Sequence, residues 1–122
     1  MFDHIAFPVA DLAVARAFYV AALAPLDIGV AADYGEVIGI GREGRPQLWI
    51  SASEKPVGRL HLAFSAKNRE EVRAFHEAAL NAGAADNGGP GLRLNYHPNY
   101  YGAFVIDPSG HNIEVVCHSP EA

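Results

Sequence analysis

The stretch Asp107-Pro108-Ser109-Gly110-His111-Asn112-Ile113-Glu114 decides how the rest of the chain is interpreted. Asp-Pro-Ser-Gly is typical of a tight turn, because Asp accepts hydrogen bonds from the nearby backbone, Pro fixes φ and Gly tolerates positive φ. The segments 103–106 and 112–116 on either side are apolar and rich in β-branched residues, which predicts a hairpin. Glu114 then lies within an apolar strand, where a lone carboxylate is costly unless it is paired or binds a cation.

Two histidines interrupt apolar strands in the same way, His4 within residues 2–7 and His61 within residues 59–64. On each strand the alternation of side chains puts the apolar residues on one face and the polar residue on the other. Since helices are expected to cover the apolar faces, His4, His61 and Glu114 should lie together on the opposite, open side. Two histidines and a carboxylate are a common set of metal ligands.

An internal repeat divides the chain into two halves. The segment His4–Leu23 can be laid over His61–Leu80, with identical residues at His4/His61, Ala6/Ala63, Phe7/Phe64, Arg16/Arg73, Ala17/Ala74, Phe18/Phe75, Ala21/Ala78, Ala22/Ala79 and Leu23/Leu80. Each half is too small to be stable alone, so we expect one domain, residues 1–122, made of two modules at about 1–55 and 58–118.

Each half is predicted to fold as a strand, a helix and three further strands. Asp11 and Asn68 are good N-cap residues, and Pro25 and Gly83 mark the ends of the two helices. The hydrophobic pattern predicts the remaining strands near residues 27–32, 35–41, 47–52, 92–96, 100–106 and 112–117.

Composition narrows the classes of partner. The formal net charge is −5 and the nine basic residues are scattered, which argues against a nucleic-acid surface. Half of the residues are hydrophobic, but no apolar run approaches the length of a membrane span. Cys117 is the one cysteine and cannot form an internal disulfide, so we expect a cytoplasmic protein that binds neither nucleic acid nor membrane.

The motifs at residues 4–12, 17–19, 61–64 and 107–114 resemble those of the vicinal oxygen chelate superfamily, which includes glyoxalase I, bleomycin-resistance proteins and extradiol dioxygenases. The resemblance covers nearly the whole chain. It implies an α+β fold of two βαβββ modules, with curled mixed sheets around a metal cleft. It also implies one divalent transition metal per site, which can be Fe, Mn, Zn, Ni or Co.

The resemblance places metal ligands on the first and last strands of each module. Carried over by motif, these are His4, His61 and Glu114, with Gln47 in the fourth place because Tyr34-Gly35 matches Tyr101-Gly102. Extradiol dioxygenases have a catalytic tyrosine three residues before the Asp-Pro turn, where this chain has Phe104. We therefore expect poor cleavage of catechols.

Two further residues are candidates for catalysis. His97 lies in the long Gly-rich loop 86–99 and could act as a general base or be simply solvated. Tyr100 and Tyr101 enter the strand beside the expected site. One of them should face it, and we expect Tyr101, although either could serve only in packing. His111 follows the turn glycine, so we expect it on the surface.

Together these features predict a metal-dependent small-molecule enzyme of lyase, isomerase or dioxygenase type. The alternative is a metal-free binding or sequestering protein of the bleomycin-resistance type. We also expect a homodimer with shared sites, in which His4 comes from one chain and His61 with Glu114 from the other.

Overall fold

The computed structural model describes residues 1–121. The first module contains β1 (Ile5–Val9), α1 (Leu12–Leu23), a short 3₁₀ helix (Ala24–Leu26), β2 (Gly29–Asp33), β3 (Val37–Arg42) and β4 (Arg45–Ala52). The second contains β5 (His61–Ser65), α2 (Arg69–Asn81), β6 (Ala85–Asp86), β7 (Gly91–Leu92), β8 (Tyr101–Ile106) and β9 (Asn112–Cys117). The predicted α+β class is confirmed.

The strands form two mixed sheets. The first sheet has the order β1-β4-β3-β2, and the second has the order β5-β9-β8-β6, with β7 also paired to β8. In each sheet the first and last strands of the module are parallel neighbours, and the other pairs are antiparallel. This arrangement brings the histidine at the start of each module next to the strand that ends the module.

Both helices begin where the sequence predicts. The Asp11 side chain accepts a hydrogen bond from the backbone N–H of Val14 at 3.1 Å, and the Asn68 side chain accepts one from Glu71 at 2.8 Å. Each bond satisfies a backbone donor that the first helical turn leaves free. Within residues 1–121, no helix combines the length and the apolar character needed to cross a membrane.

The predicted strand at residues 92–96 is wrong. Arg93 N–H donates to the Tyr100 carbonyl at 2.7 Å, and Tyr96 N–H donates to the Arg93 carbonyl at 3.0 Å. Leu92 still pairs with Tyr101 at the end of β7, but residues 93–96 turn and do not continue along the sheet. Short pairings at β6 and β7 take the place of the predicted strand.

The helix-facing sides of both sheets pack into one hydrophobic core. The core includes Phe18 and Ile50 from the first module and Phe75 and Ile113 from the second, all with at most 1% of their surface exposed. The helices α1 and α2 pack against each other. The sides of the sheets that face away from the helices are called here the open faces.

The Asp-Pro turn between β8 and β9 reaches across to the first module. Tyr19 on α1 donates its hydroxyl proton to the Asp107 carboxylate. The same carboxylate accepts hydrogen bonds from the backbone N–H groups of Ser109 and His111, at 2.9 and 2.8 Å. Asp107 therefore shapes its own turn and also connects the two modules.

The expectation that His111 lies on the surface is wrong, because its side chain is fully buried. The ring packs edge-on against Phe7 of β1, with centroids 4.9 Å apart. Its Nδ1 atom accepts a hydrogen bond from the backbone N–H of Leu60 at 3.1 Å. The residue after the turn glycine is thus part of the contact between the modules.

Candidate metal centre

The open face of the second sheet carries His61 and Glu114 side by side. Since β5 and β9 are parallel, with His61 next to Asn112 and Ala63 next to Glu114, both side chains point to the same side. His61 Nε2 lies 2.9 Å from Glu114 Oε1. The carboxylate is 2% exposed, whereas about half of the His61 side chain is exposed.

Tyr100 contacts the other oxygen of the same carboxylate. Its hydroxyl donates a hydrogen bond to Glu114 Oε2. Burial raises the pKa of the Tyr100 hydroxyl above its ordinary value, and the hydrogen bond to Glu114 raises it further. Tyr100 therefore stays a proton donor at neutral pH and fixes the orientation of the carboxylate.

The strand beside Glu114 leaves room for this contact. A Cβ atom on Gly102 would lie 3.3 Å from the Tyr100 ring and 3.5 Å from Glu114 Oε2. Phe104, directly opposite Glu114 on β8, covers the next position, and its ring centroid is 6.2 Å from that of His61. The pair is therefore bordered by an apolar ring with no hydroxyl group.

The structure places Tyr100 at the site and removes Tyr101 from it. Adjacent residues of a strand take opposite faces, and Tyr101 lies on the helix side. There the Arg69 guanidinium stacks over the Tyr101 ring at 5.0 Å, and Arg73 donates to its hydroxyl at 3.3 Å. One of the two tyrosines faces the carboxylate, but it is Tyr100 and not Tyr101.

His97 is separated from the carboxylate by one side chain. Its ring packs against Tyr100, with centroids 5.4 Å apart. Its Nδ1 atom accepts a hydrogen bond from the backbone N–H of Asn99 at 3.0 Å, so neutral His97 carries its proton on Nε2. That nitrogen donates to Nδ1 of His118 at 2.7 Å. Both nitrogens of His97 are engaged, so in this arrangement neither is free to act as a base.

His4 and Gln47 lie on the first sheet, beside a different cavity. His4 precedes β1, and its Nδ1 atom is 2.7 Å from the carboxylate of Asp3. Both residues line a cavity of about 290 Å³ between the modules, whose apolar walls include Ile40, Leu48, Leu62 and Phe64. Neither His61 nor Glu114 lines this cavity.

The strand register changes the match between the modules. Ile5 pairs with Leu48 in the first sheet, as Leu62 pairs with Ile113 in the second. Trp49 therefore occupies the place that corresponds to Glu114, and Gln47 corresponds to Asn112. The Trp49 ring lies over Gly39, whose Cβ position is 2.8 Å from it, and stacks with Tyr34.

The described part of one chain does not supply a complete set of metal ligands. Among residues 1–121, no group of three His, Cys, Asp or Glu side chains comes close enough to bind an ion. The His61–Glu114 pair does fit as half of such a set. Metals bind histidine nitrogen and carboxylate oxygen at about 2.0–2.2 Å, so two such atoms 2.9 Å apart can both be ligands of one ion.

Comparison with known proteins agrees with this architecture. The family model described as Glyoxalase/Bleomycin resistance protein/Dioxygenase superfamily matches residues 1–115. The chain belongs to this superfamily. No curated protein matches it.

Several solved structures share the superfamily fold. A glyoxalase/bleomycin resistance protein from Albidiferax ferrireducens T118 is 28% identical, covers 96% of this chain and 98% of its own, and has a TM-score of 0.84. A glyoxalase/bleomycin resistance protein/dioxygenase family enzyme from Burkholderia phytofirmans PsJN is 18% identical, with the same coverages and a TM-score of 0.74. The resemblance to this superfamily predicted from the motifs is confirmed.

Sequence reasoning did not indicate that Arg93 lies against Phe104. Its guanidinium lies over the Phe104 ring, with 5.4 Å between the central carbon and the ring centroid. The sequence does place one arginine directly after the Gly-rich segment 88–91, and these glycines allow the loop to bend back over β8. The signal for Tyr100 was its spacing, because residues 100, 102 and 104 share the face that lies opposite Glu114.

Proposed function

We propose that the protein is a divalent-metal-dependent small-molecule enzyme of the glyoxalase/dioxygenase type. The observation that carries the proposal is the His61–Glu114 pair, a nearly buried carboxylate 2.9 Å from an imidazole nitrogen on the open face of a sheet. Tyr100 donates to one oxygen of the buried carboxylate, and the other oxygen faces the imidazole nitrogen of His61, which is the pairing of ligand types that a divalent metal binds.

In this proposal His61 and Glu114 are two ligands, and His4 is the third, supplied by a second copy of the chain. Gln47 remains a candidate fourth ligand next to His4. The Trp49 ring at the place corresponding to Glu114 supports a site with three strong ligands and positions left open for substrate. When bound, the ion would supply Lewis-acid chemistry, holding two adjacent substrate oxygens and stabilising the negative charge that develops on them.

The residues of the chain have separate roles around that centre. The Tyr100 hydroxyl holds one carboxylate oxygen, which leaves the other turned toward His61. Phe104 limits access of water on the β8 side and offers no proton to a substrate oxygen. The lack of a hydroxyl at this position supports lyase or isomerase chemistry over cleavage of catechols.

Metal analysis tests the proposal. Protein expressed in metal-replete medium and purified without chelators should carry about one transition-metal ion per chain, and His61→Ala should lose most of it. His76→Ala is a matched control, because this histidine also pairs with a carboxylate, that of Asp86 at 2.9 Å, but lies on α2. Folded wild-type protein without bound metal would refute the proposal and favour the metal-free binding protein.

A further inference from the structure

Two backbone carbonyls hold the Arg93 side chain against Phe104, which borders the His61–Glu114 pair. Its Nη1 atom donates to the Gly91 carbonyl at 2.9 Å, and Nη2 donates to the Gly89 carbonyl at 2.8 Å. The guanidinium lies over the Phe104 ring at 5.4 Å. Gly88 permits this approach, because a Cβ atom there would be 3.1 Å from Nη2 and 3.3 Å from the Phe104 ring.

The charge of Arg93 is not matched by an acid of its own chain. Within residues 1–121, arginine forms ion pairs with carboxylates at Arg16, Arg69 and Arg73, and none involves Arg93. The two carbonyl bonds use two of the five N–H donors that a guanidinium carries. Three donors and the full positive charge therefore remain for another partner.

The location of this cation relates it to the candidate site. Phe104 lies directly opposite Glu114 on the neighbouring strand, and its ring is 6.2 Å from the His61 ring. Arg93 covers the same phenyl ring. The His61 ring and the Arg93 guanidinium therefore both lie against Phe104, at 6.2 and 5.4 Å from its ring centroid, so a small molecule that spans this phenyl ring can contact both.

We propose that Arg93 binds an anionic group of the substrate, so that the substrate class is a small carboxylate or phosphoryl compound with adjacent oxygens. A guanidinium forms two parallel hydrogen bonds to either kind of anion. The assignment of this anion as part of a substrate rests on the proposed function, whereas anion binding at Arg93 does not. Glu114 does not compete with the anion for the donors of Arg93, because its two carboxylate oxygens contact His61 and Tyr100.

A purely structural role for Arg93 predicts a different outcome. If the side chain serves to hold the Gly-rich loop over β8, its replacement lowers stability but leaves anion affinity unchanged. The decisive measurement is therefore anion binding by protein that stays folded.

The probe is inorganic phosphate, titrated calorimetrically into protein stripped of metal with EDTA. Wild-type protein should bind one phosphate per chain, and Arg93→Gln should weaken the affinity by about 10- to 100-fold, as expected for charge-assisted hydrogen bonds. Arg93→Lys keeps the positive charge but cannot form two parallel hydrogen bonds, so its loss of phosphate affinity should be smaller than that of Arg93→Gln. Arg45→Gln, an identical change of charge on the exposed β3–β4 hairpin, should leave the affinity unchanged.

Equal phosphate affinity in wild type and Arg93→Gln, or no binding by folded wild type, overturns the proposal. If Arg93→Gln does not fold, unchanged affinity in Arg93→Lys overturns it as well. Because the titration is performed without metal, its result is independent of whether His61 and Glu114 bind an ion. Failure of the metal proposal would appear instead in the elemental analysis.

Discussion

At the scale of single residues, Tyr100 and Tyr101, at the start of β8, have opposite surroundings. Tyr100 donates to the buried carboxylate of Glu114, whereas Tyr101 lies among arginines on the helix side. Replacing either hydroxyl by hydrogen removes the same few atoms. Comparing the two substitutions therefore shows how much a hydrogen bond to a buried charge stabilises the fold relative to a hydrogen bond to an exposed charge.

Tyr100→Phe is expected to lower the free energy of unfolding by about 1.5–3 kcal/mol, the usual range for a hydrogen bond to a charged group. Tyr101→Phe should have little effect, since its partner Arg73 is exposed. Urea denaturation of both metal-free variants measures the difference. Equal stability of the two variants would show that Tyr100 contributes nothing to holding Glu114.

The contact between Tyr19 and Asp107 predicts a dependence on alkaline pH. Burial raises the pKa of the Tyr19 hydroxyl far above its ordinary value, and the nearby Asp107 carboxylate adds to the effect. The stability linked to this group is complete below the unfolded pKa of about 10 and is lost as the pH rises above that value, because only the unfolded state releases the proton.

Wild-type protein should therefore lose stability above pH ~10 more steeply than Tyr19→Phe, by about 1.4 kcal/mol per pH unit. Denaturant titrations at several alkaline pH values measure the two slopes. Parallel slopes would mean that Tyr19 ionises equally well in the folded and unfolded states.

At the scale of elements, the last strands of the two sheets carry different residues on their open faces: Trp49 on β4 lies where β9 has Glu114. Trp49 lies flat over Gly39 of β3 because no side chain is present there. A Cβ atom at Gly39 would be 2.7 Å from Pro46 Cβ and 2.8 Å from the Trp49 ring. The indole position therefore depends on one glycine.

Gly39→Ala is expected to displace the Trp49 ring and to destabilise the protein by about 1–3 kcal/mol, as overpacked sites do. Trp49 is the sole tryptophan of the chain, so its fluorescence reports the displacement directly. Gly29→Ala on β2 is the control, since a Cβ atom there contacts nothing. An unchanged emission spectrum in Gly39→Ala would contradict the expected displacement.

The elements were predictable from the sequence where local chemistry specifies them. Asp11 and Asn68 cap the helices as expected, and the alternation of side chains correctly put His61 and Glu114 on one face. The strand register was not predictable in the same way. A slip of two residues keeps every side chain on its face, so alternation cannot distinguish Gln47 from Trp49 as the counterpart of Glu114.

The choice of Tyr101 over Tyr100 was wrong for a different reason. Alternation from Phe104, which the resemblance places at the site, puts Gly102 and Tyr100 on the same face, and this step was not applied. His111 was misplaced for another reason. Its burial depends on Phe7 and Leu60, which are far away along the chain and approach it only when the modules pack together.

At the scale of the whole molecule, the open faces of the two sheets carry complementary parts. The second sheet presents His61 and Glu114, and the end of the first sheet presents His4, which in this chain meets Asp3 instead. We expect a homodimer in which His4 of one copy completes the pair of the other. Two-fold symmetry would give two equivalent centres.

A mixing experiment measures this arrangement. His4→Ala and Glu114→Gln homodimers should each bind little metal, because every site has one lesion. A refolded heterodimer of the two has one site with both lesions and one intact site, so about half of the metal binding should return. Heterodimers that form but recover no metal would show that all ligands come from the same chain.

The hydrogen bond between Tyr19 and Asp107 also predicts how parts of the protein open locally. A helix of the first module and a turn of the second are joined through a contact between residues 88 positions apart. Local opening of the β8–β9 hairpin breaks the hydrogen bond to α1, and opening of α1 removes a donor from the buried carboxylate of Asp107. The amide protons of these two distant segments should therefore exchange with solvent as one cooperative unit, with a common opening free energy.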